Sequence, residues 1–222
     1  MAFYKLLARY LTALGIIIAI AVVLHLVAQP SGLHITEAEL SVESTVGYQA
    51  PPATLVYRAM PEDWSHVALP NAAIPRLALS QHDSAAAPDT QLTWYRVVLP
   101  QAVSPADKGY LYIPRWKSDG TIAVYVNGAL QYQSHANLQW NGSNRPLRIA
   151  FDVTEGAAPI NAIVIRLQHL RGIGGALSSL WVGNFDEVGP AYMVRNLFQA
   201  ELSYLTSAAF LASGVFSLLV WF

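Results

Sequence analysis

Bulky and polar positions alternate through the middle of the chain but not at its ends. Residues 94–99 (WYRVVL) alternate large side chains and stop at Pro100, as a half-buried strand does. Residues 110–113 form a second β-rich run, closed by Pro114. Residues 121–126 set Ile122, Val124 and Val126 on one face and Ala123 and Tyr125 on the other. Asn127-Gly128 follows at once, and Leu130 and Tyr132 then resume the alternation. A type I′ turn needs positive φ at both central residues, which Asn-Gly tolerates best, so the pattern predicts an antiparallel hairpin with its tip at 127–128.

A single first strand is expected within 33–46, and others at 64–69 before Pro70, at 147–153, at 162–168 and at 180–182. The 162–168 strand carries Ile163, Ile165 and Leu167 on one face. Residues 81–90 read as a polar surface loop and 139–145 as a turn-rich connection. Many short strands with no amphipathic helix between them predict a mainly β fold, an antiparallel β-sandwich of jelly-roll type.

The ends follow another rule. Lys5 and Arg9 precede an uncharged apolar run at 10–28. Such a run is long enough to cross a hydrocarbon layer of about 30 Å. The two cations place residues 1–9 in the cytoplasm. A cleaved signal peptide is the competing reading, but a cut after Ala28 would put bulky Leu26 where a small residue is required. His25 is expected near the outer interface. Residues 192–199 are amphipathic with Arg195 as the main charge, and Glu201 is the last charge in the chain. Residues 202–222 are uncharged and include Ala208, Ala212 and Gly214, which predicts a second membrane helix suited to packing on others. The expected organisation is therefore a cytoplasmic N-terminus (1–9), a membrane helix (10–28), a β-sandwich outside the cytoplasm (29–190), a link (191–201) and a second membrane helix (202–222). The second helix reads as the first of a longer bundle, and the chain as the N-terminal part of a longer protein.

Composition narrows the chemistry. Of the 222 residues 54% are hydrophobic and only 12% charged, roughly half the usual share, and the net charge of −1 offers no basic field for nucleic acid. Cysteine is absent, which excludes a disulfide framework and thiolate sites. His34, His66, His82, His135 and His169 are scattered without metal-ligand spacing. No Ser-His-Asp set or paired carboxylates can be assigned, so no catalytic residue, metal or cofactor is expected within these residues. Residues 171–175 (RGIGG) lack phosphate-loop spacing and precede a strand, so they read as a glycine turn. Asn141-Gly142-Ser143 reads as a turn. Arg115, Trp116, Trp140, Asn144, Arg145 and Arg171 gather aromatic faces and forked donors in segments that read as loops. Together they are the candidate ligand site, suited to a carbohydrate or a carboxylate. For Trp116 and Trp140 a place in the core or over a sheet edge remains open.

Two resemblances carry this further. Residues 64–70 (WSHVALP), 94–100 (WYRVVLP), 110–116 (YLYIPRW) and 122–128 (IAVYVNG) resemble the N-terminal sugar-binding jelly roll of family 2 glycosidases. Asp152-Val153-Thr154 is similar to a segment of that family, as is 159–165 (PINAIVI), with Pro where Gly is usual. The resemblance implies a galactose-binding-like fold and leaves the ligand open. Residues 165–183 (IRLQHLRGIGGALSSLWVG), leading through 192–221, resemble the bacterial 7TM receptors with diverse intracellular signalling modules. That resemblance implies the periplasmic input region of an inner-membrane receptor. A histidine kinase or diguanylate cyclase output would belong to a parent chain only, since those residues are not here. The expected partners are the membrane and a small carbohydrate or carboxylate ligand or a periplasmic protein, with a homodimer left open. The rival reading is a membrane-tethered carbohydrate-binding or glycosidase accessory module.

Overall fold

The computed structural model describes residues 2–27, 29–55, 63–72, 89–103, 109–134, 145–151 and 160–221. Helix α1 (Ala2–Val27) leads into strands β1 (Leu33–Ile35), β2 (Glu37–Thr45), β3 (Ser65–Ala68), β4 (Asn71–Ala72), β5 (Thr90–Val103) and β6 (Tyr110–Ile113). There follow β7 (Trp116–Lys117), β8 (Thr121–Val126), β9 (Ala129–Gln133), β10 (Leu147–Ala150), β11 (Ile160–Leu170), β12 (Ala176–Leu177) and β13 (Leu180–Gly183). Helix α2 (Phe185–Asn196), a π-helical turn (Leu197–Glu201) and α3 (Leu202–Trp221) complete it.

Among the described residues the strands form antiparallel sheets: six strands in the order β3-β2-β5-β11-β8-β9, four in the order β1-β13-β6-β10, and a small sheet β4-β12-β7. The chain is thus mainly β, a sandwich whose core lies between the two larger sheets. Tyr95, Val97 and Leu99 of β5, Ile163, Ile165 and Leu167 of β11, and Ile122, Val124 and Val126 of β8 face Leu111, Ile113, Ile149, Leu180 and Val182 of the four-stranded sheet. Each face repeats every second residue, as the pleat requires.

The hairpin forms where the alternation placed it. Val126 pairs with Ala129, and the tip residues have φ of 49° at Asn127 and 86° at Gly128. Asn127 Oδ1 also accepts from the backbone N–H of Asn161 at 2.9 Å and of Ala162 at 3.3 Å, which fastens the tip to β11.

Two expectations need revision. The segment 33–46 is two strands, with the chain crossing between sheets at Thr36: β1 pairs with β13, and β2 with β5. Pro100 does not end its strand, because β5 runs from Thr90 to Val103. Its partner β11 shifts register between Ile160 and Ala162, opposite Val98 to Val103, and a sheet tolerates proline at such an irregularity. Strand β8 is buried on both faces. Its second face, with Trp94 and Val164, lies under Leu55.

At the ends, one helix among the described residues, Phe185–Trp221, is long and apolar enough to cross a membrane by length and composition; Tyr10–Leu24 is a shorter apolar stretch. Two spans were expected, and one meets the criterion. The first helix is longer than its apolar part because Lys5 and Arg9 lie inside it. Apolar side chains on α3 stand exposed, Phe210, Leu211, Leu219 and Trp221 among them, which fits membrane association.

Candidate functional site

Four of the six sequence candidates, Arg115, Trp116, Arg145 and Arg171, lie among the described residues. Arg115 is exposed in the turn between β6 and β7, where its N–H donates to Ser178 Oγ at 3.1 Å and its carbonyl accepts from the Ser178 N–H at 2.9 Å. Trp116, next along, is 2% exposed and belongs to the main core. It is not a surface platform. In β7 the pleat turns Lys117 outward and Trp116 inward, beside its strand partner Leu177. Arg145 is exposed, with its guanidinium 5.2 Å from the Tyr204 ring at the start of α3. Arg171 is exposed in the turn after β11, its N–H donating to the Asp89 carbonyl at 2.9 Å. Gly172 and Gly174 take φ of 91° and 76° there, so RGIGG is a glycine turn. Trp140 and Asn144 lie outside the described residues.

A different cluster forms on the outer face of the six-stranded sheet. Registers of β5, β11 and β8 align Trp94, Arg166 and Ala123 in one row, and Arg96, Val164 and Tyr125 in the next. Residues 47–55 cross over this face as a strap. At its start the Gly47 N–H donates to Asp89 Oδ1 at 2.7 Å, and Gln168 Nε2 donates to the Gly47 carbonyl at 2.9 Å. The Gln49 N–H donates to Gln168 Oε1 at 3.1 Å, and Arg166 Nη2 donates to the Gln49 carbonyl at 2.7 Å. At the far end the Leu55 N–H donates to the Gly128 carbonyl at 2.7 Å and Leu130 N–H to the Ala53 carbonyl at 3.0 Å.

Beneath the strap the polar groups are incompletely satisfied. Arg166 is 2% exposed, and its guanidinium lies 5.7 Å from the Trp94 ring centre. Burial lowers its pKa, while nearby Tyr125, Tyr48 and Glu43 act to raise it. Arg166 Nη1, Tyr125 Oη and Trp94 Nε1 are buried without a hydrogen-bond partner among the described residues. Such groups are uncommon in native interiors, since an unpaired buried donor retains its full desolvation penalty. Burial pushes the Tyr125 hydroxyl up to about 12, with Arg166 pulling the other way. The alternation that marked Ile163, Ile165 and Leu167 as inward implied Val164, Arg166 and Gln168 on the opposite face. What sequence could not show was that the strap would bury them.

A second locus is the seat of the C-terminal helix. Asn184 caps α2: its Oδ1 accepts from the Glu187 N–H at 3.0 Å, while Glu187 Oε2 accepts from the Asn184 N–H at 2.9 Å. Tyr112 of β6 packs with Val188 and Ala191, and its ring meets Tyr192 edge-on at 6.3 Å. Arg148 of β10 is enclosed by rings, 5.2 Å from Tyr110 and 4.9 Å from both Phe185 and Tyr192. These contacts join the four-stranded sheet to the helix that continues to Trp221.

No family model matches the chain, and no curated protein matches it. Among solved structures, a β-glucuronidase of Faecalibacterium prausnitzii is similar over 63% of this chain at 16% identity and a TM-score of 0.37. A β-glucuronidase of Parabacteroides merdae is similar over 68% at 12% identity and a TM-score of 0.34. This chain covers 20% and 21% of those proteins. Similarity this distant assigns neither activity nor ligand to this chain.

Proposed function

We propose that the chain is the ligand-sensing input region of a membrane-bound bacterial signalling receptor of the sensor-kinase kind. In this reading a galactose-binding-like jelly roll stands in the periplasm. Helices α1 and α3 both cross the inner membrane, and the segment 192–201 carries change in the sandwich to the bilayer. The observation that carries the reading is the seat of α2. A helix apolar enough to span a membrane is rooted in the sheet by a capping box, a tyrosine cluster and an arginine enclosed by three rings. A passive tether needs no such joint. A joint of this kind converts small displacements of a sheet into movement of a helix, which is how a ligand's differential affinity for two states becomes a signal.

Topology is the decisive test, and the chain's lack of cysteine makes it direct. Val98 is 66% exposed on β5. A single Val98→Cys variant in spheroplasts should react with a membrane-impermeant maleimide. Labelling only after the membrane is opened would sink the reading.

A further inference from the structure

Two arginines share the outer face of the six-stranded sheet, and their surroundings differ. Arg96 donates from Nε to Glu39 Oε2 and lies over the Trp64 ring at 4.2 Å, so its charge is answered. Arg166, two strand positions further along the register and under the strap, forms no ion pair with a carboxylate among the described residues. It is held by a backbone carbonyl and, more loosely, by Gln168 Oε1 at 3.4 Å, and Nη1 is left over. A buried cation without a counter-charge is costly, and a guanidinium remains protonated at any physiological pH.

The neighbouring groups without a partner among the described residues all have a hydrogen to donate. Trp94 Nε1 can only donate, Arg166 Nη1 can only donate, and Tyr125 Oη donates most readily to an anion. Two obligate donors and a phenol hydroxyl beside a buried guanidinium that has no ion pair among the described residues match a carboxylate, whose two oxygens offer about four acceptor positions. Size is limited too, because all three atoms are buried and the strap's Leu55 packs with Trp94 and Tyr125. Glu43 lies near enough to act on Arg166 electrostatically, and its negative charge would repel a second carboxylate on the same ligand.

We propose that Arg166, Trp94 and Tyr125, beneath the strap 47–55, form a binding site for a small monocarboxylate, with Arg166 bearing on the carboxylate and the indole and phenol donors completing its shell. The site goes beyond the receptor reading and holds whether or not the helix transmits anything. Entry requires the strap to lift, since Arg166 Nη2 donates to the Gln49 carbonyl, the Gln49 N–H donates to Gln168 Oε1 and Gln168 Nε2 donates to the Gly47 carbonyl.

The test uses the full chain in lipid nanodiscs, with thermal melting and calorimetric titration of sodium acetate and sodium lactate. Sodium chloride at equal ionic strength and acetamide serve as controls. Acetate or lactate should raise the melting temperature where chloride and acetamide do not. Tyr125→Phe and Trp94→Phe keep their rings and lose one donor each, and each should weaken lactate binding about tenfold, the usual scale for one charge-assisted hydrogen bond. Arg166→Gln should abolish it. Chloride or acetamide acting as well as the carboxylates would overturn the proposal, as would unchanged affinity in both folded phenylalanine variants. If Arg166→Gln fails to fold, the phenylalanine pair still decides. A carboxylate-bound chain with a cytoplasmic Val98 would keep the site and discard the receptor.

Discussion

The Arg148 guanidinium lies 4.9 Å from the centre of the Tyr192 ring, and this pair joins the last strand of the four-stranded sheet to the helix that runs on to Trp221. Phe185 and Tyr110 complete the enclosure. A guanidinium held between aromatic faces contributes about 0.5–2 kcal/mol per well-placed ring, and its flat shape is part of the fit.

Arg148→Ala should therefore loosen the helix without unfolding the sandwich. Hydrogen exchange should accelerate through residues 185–201 while β11 stays protected. Arg148→Lys should recover only part of the protection, because an ammonium cannot stack on the rings. Equal exchange in wild type and Arg148→Ala would remove this joint from the account.

Val124→Asp tests the inward face of β8. The side chain is wholly buried among Ile122, Ile163, Ile165 and Leu111. An unpaired carboxylate there should cost several kcal/mol, a large part of an ordinary domain's stability. A melting temperature like wild type would show the face to be wrongly assigned.

Asn127→Ala probes the hairpin tip. It removes the acceptor for two β11 amides and puts a methyl side chain at positive φ, where asparagine is tolerated. A loss of about 1–3 kcal/mol is expected from chemical denaturation, with the ladder β8–β11 intact by exchange.

Alkaline titration tests the burial of Tyr125. Its folded pKa is raised to about 12, above the ordinary 10, chiefly because burial disfavours the phenolate. The stability this contributes is fully present below pH 10 and is lost as pH rises through about 12. The wild type should thus lose stability between pH 10 and 12, and Tyr125→Phe should lose less over the same window. Identical pH dependence would place the hydroxyl in water.

The parts of the fold that could be read from sequence are those governed by local rules. The Asn-Gly tip and the inward set Ile163, Ile165 and Leu167 depend on turn chemistry and a two-residue period, and both appear as expected. The polar cluster depended instead on a long-range crossing. Residues 49–54 carry Pro51 and Pro52 and no alternation, and nothing in their pattern says that they lie over Trp94 and Tyr125. Loop placement likewise misled at Trp116, because a two-residue strand is too short to show alternation. Helix α2 was obscured by its composition: it begins with Asn184 and an acidic first turn, holds Pro190 internally, and starts at Phe185 inside the segment read as β. Its capping box, Asn184 with Glu187, was the available signal.

Where the chain enters the sandwich it also leaves. The Ser31 N–H donates to the Glu187 carbonyl at 3.0 Å, and Gly32 sits so close to Val182 that an added Cβ would lie 2.5 Å from its carbonyl oxygen. The whole β domain is therefore an excursion that begins and ends at one point between two helices. Such a unit can be gained, lost or exchanged between host proteins without changing the spacing of the helices that carry it. A swap of residues 32–183 for another domain with equally close ends is accordingly a practical route to a chimera that keeps both flanking helices and the α2 cap.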